Sequence, residues 1–121
     1  MKFRVLDLFC GAGGFSAGLE QVKNFSTEVG LDFDKYAIET FSKNFPNAIS
    51  ICGDILDQDT KNQVIDSCRK RKVNMIVGGP PCQGFSLKGK NLGLDDSRNF
   101  FFKEYLLSLI HISEPTRHWA I

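Results

Sequence analysis

The sequence predicts an α/β domain, a mostly parallel sheet with helices on both faces. Two observations carry this. Short apolar runs of strand length alternate with segments of helical period in the order β-α-β-α-β-α-β, the pattern of parallel strands joined by helical crossovers. The unusual residues, meaning glycine clusters, paired acids and a Pro-Pro-Cys string, all follow the carboxyl ends of the apolar runs, where such sheets collect their ligands.

Phe3 to Leu8 reads as the first buried strand. Phe15, Leu19 and Val22 then fall near i, i+4 and i+7, predicting an amphipathic helix. Glu28 to Asp32 is a short second strand. Between Asp34 and Phe45, the residues Ala37, Ile38, Phe41 and Phe45 share one helical face, with Asp34 as N-cap and Pro46 just past the end. Ala48 to Cys52 is the third strand, closed by Gly53-Asp54. A polar helix runs from about Asp59 to Arg69, and Val73 to Val77 is the fourth strand. The basic run Arg69 to Lys72 reads as a solvated helix end favoured by the macrodipole rather than as a nucleic-acid patch.

Composition narrows the class. A chain of 121 residues suits one domain, and 42% hydrophobic with 24% charged residues is ordinary for a soluble protein. No apolar run approaches the ~20 residues that cross a bilayer. The amino terminus lacks a signal-peptide core, so a cytoplasmic protein without membrane contact is expected. Four scattered cysteines without a Cys-x-x-Cys pair, and two histidines near the carboxyl end, argue against a metal site or disulfide framework. Cys52, in an apolar strand, is expected to be buried. The net charge of +1 carries no polyanion signature.

The chemistry sits in four strand-end segments. Asp7-Leu8-Phe9-Cys10-Gly11-Ala12-Gly13-Gly14-Phe15 follows the first strand, and its glycines let the backbone turn tightly and approach a ligand. By itself such a turn suits a dinucleotide, a nucleoside or nothing. Asp32-Phe33-Asp34 ends the second strand, about 20 positions further on, where a carboxylate suits ribose hydroxyls and a ring suits adenine. Asp32 serves equally well as a helix cap, and Phe33 as core. Gly53-Asp54-Ile55 ends the third strand with a carboxylate that suits an adenine amine. Gly79-Pro80-Pro81-Cys82 follows the fourth. Two prolines fix the backbone before Cys82, and a cysteine so presented is a candidate nucleophile that needs activation, because a free thiol is only a few per cent thiolate at neutral pH.

In order and spacing these segments resemble the amino-terminal half of the cytosine-C5 DNA methyltransferase family. Phe9, Gly11 and Gly13 match its first motif, Asp32 and Phe33 its second, Gly53-Asp54-Ile55 its third and Pro80-Pro81-Cys82 its fourth. Asp96-Ser97-Arg98 with Phe100-Phe101-Phe102 is similar to its fifth. The resemblance covers residues 3 to about 106. It implies a Rossmann-like S-adenosylmethionine-dependent methyltransferase domain of which the first four strands are present. It also implies S-adenosyl-L-methionine as cofactor. Phe9 and Phe33 would pack on it, with the Gly11-Ala12-Gly13 turn beneath, Asp32 on the ribose and Asp54 on the adenine amine. Ile55, Pro80 and Phe101 would complete the pocket. Many relatives carry Glu and Trp where this chain has Asp32 and Phe33.

The resemblance further implies that Cys82 adds to C6 of a cytosine flipped out of double-stranded DNA, and that Ser86 to Arg98 is a loop closing over the DNA. A monomer of restriction-modification or orphan type is the expected setting, with a cognate restriction endonuclease as functional partner in the first case. The family's assisting glutamate, its arginine motif, its base-reading domain and its last motif have no counterpart, so the chain alone is expected to be inactive. Residues 107–117 match the conceptual translation of a transposase adapter used for sequencing libraries, and 118–121 fit the index that follows. Residues 107–121 are therefore set apart as a non-native tail. Two alternatives remain, a fragment of a transfer-RNA cytosine-C5 methyltransferase and a non-catalytic nucleoside-binding fragment. A dehydrogenase-like domain leaves Pro80-Pro81-Cys82 unexplained.

Overall fold

The computed structural model describes residues 2–78 and the backbone of 118–120. The sequence-predicted site residues Pro80, Cys82 and Phe101, and the segment 86–98, lie outside the described residues. The elements run β1 (Phe3–Leu8), α1 (Gly14–Glu20), β2 (Phe25–Asp32), α2 (Lys35–Asn44), β3 (Ile49–Cys52), α3 (Gln58–Arg71), β4 (Met75–Gly78) and β5 (His118–Ala120). All pairings are parallel, in the order β3-β2-β1-β4-β5. The four expected strands form, and a three-residue strand from the segment set apart above lies beside β4. Strand order reverses between β1 and β4, which makes the carboxyl ends of those two strands the switch point where open α/β sheets bind ligands.

Alternation along the strands divides the core. Leu6, Leu8, Val29, Leu31, Ile51 and Ile76 pack with Val64 and Cys68 of α3. Cys10 packs with Ile38, Phe41 and Phe45 in a second cluster built around α2. Gly30 belongs to this second face, where its missing side chain leaves room for the Phe41 ring. A Cβ there would lie 2.4 Å from Phe41 Cζ. The helix ends follow their residues. Asp34 Oδ1 accepts from the amides of Tyr36 (2.9 Å) and Ala37 (3.4 Å), and Asp57 Oδ2 accepts from Thr60 N (3.1 Å). Both are N-caps that satisfy otherwise orphaned amides.

Two expectations change. Phe15 and Val22 are 61% and 52% exposed, and α1 ends at Glu20, so its predicted apolar face is not the one buried. The only fully enclosed side chain of α1 is Ser16. Cys52 is exposed because β3 is the edge strand and Cys52 is its last residue, whereas Cys10 and Cys68 are buried.

Buried Asn74 extends the β1 ladder with its side chain. Its Oδ1 accepts from Arg4 N (2.8 Å), and its Nδ2 donates to Lys2 O (3.0 Å). Asn74→Ala strands both backbone groups and is expected to cost about 1–3 kcal/mol, read as a lower denaturant midpoint at constant slope. An unchanged midpoint would show that water replaces the amide.

Candidate functional site

β1 hands directly into a turn of unusual backbone. Phe9 (φ +57°), Gly11 (φ +56°) and Gly13 (φ +99°) all lie in the left-handed region. Glycine adopts it freely, whereas Phe9 stores strain that its surroundings must hold. Those surroundings are visible: Cys10 N donates to Leu31 O (2.9 Å), Gly13 N donates to Cys10 O (2.9 Å), and Phe9 packs half-buried against the α3 side of the core. The two glycines differ in purpose. Gly11 opens to space, with nothing within 4 Å of where a Cβ would stand, while a Cβ on Gly13 would meet Phe45 Cε2 at 2.4 Å. Gly13 lets the turn settle onto α2, and Gly11 leaves room above it.

Asp32 joins this turn to the end of β2. Its Oδ2 accepts from Gly11 N (2.9 Å) and its Oδ1 from Asp34 N (2.9 Å). The carboxylate therefore bridges the glycine turn and the entry to α2, while Asp34 is the cap. Phe33 is 75% exposed, so the core role left open for it in the sequence does not apply. The end of β3 is tied to the same place, since Gly53 N donates to Asp32 O (3.0 Å). Asp54 follows, exposed, with Oδ1 accepting from Leu56 N (2.9 Å). Ile55 is half-buried against the core. Ala12 is exposed, and its carbonyl accepts from Asn44 Nδ2 (3.3 Å).

The described site residues thus gather at the ends of β1, β2 and β3. An open glycine, an exposed aromatic ring and two carboxylates fit an adenosyl group: space for the ribose over Gly11, a face for the base at Phe33, and acceptors for hydroxyls and an exocyclic amine.

Two residues beneath the turn carry a feature that the sequence reading did not assign. Asp7, only 2% exposed, accepts from the hydroxyl of buried Ser16 (2.5 Å). Burial raises its carboxyl from the ordinary 3.8 to about 6; the Ser16 hydrogen bond opposes the rise and the nearby Asp32 charge adds to it. Burial, with the charges of Asp7 and Asp32, likewise pushes the Cys10 thiol up to about 12, which keeps it protonated and unreactive at neutral pH. An aspartate inside the apolar run Phe3 to Leu8 was the available signal, because a buried carboxyl needs a partner. Its partner nine positions away on another element left no local trace.

The raised value has a consequence for stability. Between about pH 4 and 6 the folded chain holds a proton on Asp7 that the unfolded chain has released, so stability falls as pH rises through that window. Above it, the ionised carboxyl costs about 3 kcal/mol. Asp7→Asn is expected to raise the melting temperature at neutral pH and to flatten this acid-side dependence. Parallel pH profiles for the two proteins would refute the assignment.

Comparison with known proteins agrees with this geometry. The family model described as C-5 cytosine-specific DNA methylase matches residues 3–116, including part of the segment set apart in the sequence. Type II methyltransferase M1.HphI of Haemophilus parahaemolyticus is 34% identical over 117 residues, which is 95% of this chain and 31% of that protein. Type II methyltransferase M.AquIA of Picosynechococcus is 38% identical over 109 residues, 88% of this chain and 43% of that protein. A solved E. coli prophage protein assigned as a DNA modification methyltransferase superposes with a TM-score of 0.60 at 32% identity, covering 86% of this chain and 27% of the other. The chain spans less than half the length of these relatives. With a family match over nearly its whole length and a parallel α/β sheet, the chain belongs to the C-5 cytosine-specific DNA methylase family.

Proposed function

We propose that the enzyme to which this chain contributes its amino-terminal part transfers a methyl group from S-adenosylmethionine to C5 of cytosine in double-stranded DNA. The single observation that carries the cofactor assignment is the Asp32 bridge. One carboxylate joins the open Gly11 turn to the end of β2, beside the exposed Phe33 ring. The family description, C-5 cytosine-specific DNA methylase, supports DNA as the substrate over transfer RNA.

The chemistry the cofactor supplies is an electrophilic methyl carried on a sulfonium. Around it, the Gly11 turn would receive the ribose, Asp32 and Asp54 would orient the nucleoside, and Phe33 would cover the base. Cys82 follows the end of β4, at the switch point, by four positions in the chain. C5 of cytosine is too weak a nucleophile to take the methyl directly. Cys82 thiolate would add to C6, passing electron density to C5, which then takes the methyl as the C–S bond to sulfonium breaks. A base removes the C5 proton, and the thiolate leaves as the ring double bond re-forms. The target base must leave the duplex for this, at about a few kcal/mol of stacking and pairing.

The test is methyl transfer by the protein from the uninterrupted gene, given labelled S-adenosylmethionine with duplex DNA or transfer RNA. Label on cytosine C5 of duplex DNA is expected, and label confined to transfer RNA would overturn the substrate assignment. The 121-residue chain alone is expected to transfer nothing, since the family's assisting glutamate and base-reading domain have no counterpart in it. We read residues 107–121 as a non-native tail on the adapter match, and an intact genomic locus encoding them would overturn that reading.

A further inference from the structure

Asp7 and Ser16 have no place among the ligand contacts above, yet they join β1 to α1 across the glycine turn. The turn carries three left-handed residues, Phe9, Gly11 and Gly13. Phe9 is the strained one, and a non-glycine residue in that region persists only where the surrounding structure holds it. One end of the turn continues from β1 in the middle of the sheet. The other is α1, which is short, has no side-chain N-cap and leaves Phe15 exposed.

Among the described residues, two polar side-chain ties hold α1 to the sheet. Ser16 Oγ donates to Asp7 Oδ2 (2.5 Å) in its first turn, and Glu20 Oε1 accepts from Thr27 N (3.1 Å) at its far end. Only the first lies next to the glycine turn. We propose that the Asp7–Ser16 hydrogen bond is the latch that holds the glycine turn in its ligand-ready shape, and that protonating Asp7 loosens the turn and weakens nucleoside binding.

The physical basis is the strength of the bond. A hydroxyl donating to a buried carboxylate makes a charge-assisted bond, roughly twice as strong as the neutral bond left after protonation. The groups around Asp7 leave it as the switch. Its strand neighbours in register are Gly30 and Val77, α1 presents Ser16, and α2 presents Ile38 and Phe41 to this face. Among the described residues, the titratable groups coupled to it are Asp32 and the Cys10 thiol, and that thiol stays protonated. Because Asp7 titrates near 6, acid stabilises the fold while it weakens the site. A residue important only for folding would move both in the same direction.

This proposal rests on the glycine turn being the S-adenosylmethionine site, and its test separates the two ideas. In the ligand-free 121-residue chain, the amide resonances of Gly11 and Gly13 should titrate together with the Asp7 carboxyl carbon. Ser16→Ala should raise that midpoint by removing the donor, and Asp7→Asn should abolish the transition. S-adenosylmethionine affinity should fall about tenfold from about pH 7.5 to about pH 5 in the native chain and stay flat in Asp7→Asn. Turn amides indifferent to Asp7 ionisation, or an acid limb that persists in Asp7→Asn, would overturn the latch. Absence of S-adenosylmethionine binding at every pH by the protein from the uninterrupted gene would overturn the proposed function instead, with the amide titration still deciding the latch.

Discussion

Cys82→Ser in the full-length enzyme is expected to reduce methyl transfer by at least about 10³-fold, equivalent to more than about 4 kcal/mol of transition-state stabilisation. The proposed reaction needs an anion that adds to C6 and later leaves. A thiol is already a few per cent thiolate at neutral pH and intrinsically very nucleophilic, whereas a serine hydroxyl is a weak nucleophile unless a neighbouring base activates it. The same change should leave S-adenosylmethionine affinity nearly unaltered, because the residues proposed to hold the cofactor lie mainly at the ends of β1, β2 and β3. Separate measurement of cofactor binding and transfer provides the check. An active serine enzyme would remove Cys82 from the mechanism, and parallel loss of binding would mean that the substitution disturbs the pocket itself.

Gly13→Ala is expected to give the largest loss of stability, about 2–5 kcal/mol. The left-handed backbone costs a non-glycine residue about 1–2 kcal/mol, and forcing extra volume into a packed region adds about 1–3 kcal/mol. Both terms act at once. The new Cβ would stand 2.4 Å from Phe45 Cε2 and 3.0 Å from Phe41 Cδ2, rings that stack on each other with centroids 4.8 Å apart. Relief would require pushing α2 away from the turn, which disturbs the seat of the loop that carries Gly11 and should weaken nucleoside binding. Gly18→Ala is the internal control. It lies inside α1 with open space around its Cβ position, and alanine there should stabilise by about 0.5–1 kcal/mol. Thermal melting of the two variants decides the matter, and a Gly13→Ala protein as stable as the native chain would show that the turn relaxes without moving α2.

Much of the fold was legible because the strands are buried on both faces and so read as continuous apolar runs. Phe3–Leu8 matches its predicted limits, and the cap at Asp34 is the one its sequence context indicates. The misreadings have a common cause. Helical period in Phe15, Leu19 and Val22 says that a face is apolar, not that another element covers it, and α1 exposes Phe15. Likewise Cys52 looks buried from its apolar neighbours, but its exposure depends on β3 being an edge strand. Within the site, Asp32 and Phe33 were singled out from spacing alone. The helix-cap alternative for Asp32 falls away because its oxygens go to Gly11 N and Asp34 N, while Asp34 itself caps α2.

By itself, the sequence determined the class of domain, the four expected strands and the residues at their ends, because burial periodicity and turn chemistry are local properties of the chain. It also carried the motifs that identify the family. Tertiary structure decided which of those strand ends meet. Strand order places β1 between β2 and β4, and only that order brings the Gly11 turn, Asp32 and the end of β3 together. It also decided that Asp7, in the middle of the sheet, lies under Ser16, where low solvation raises its proton affinity. Burial of a charge and the partner that offsets it are set by contacts between distant segments, so neither can be read from the residues on either side.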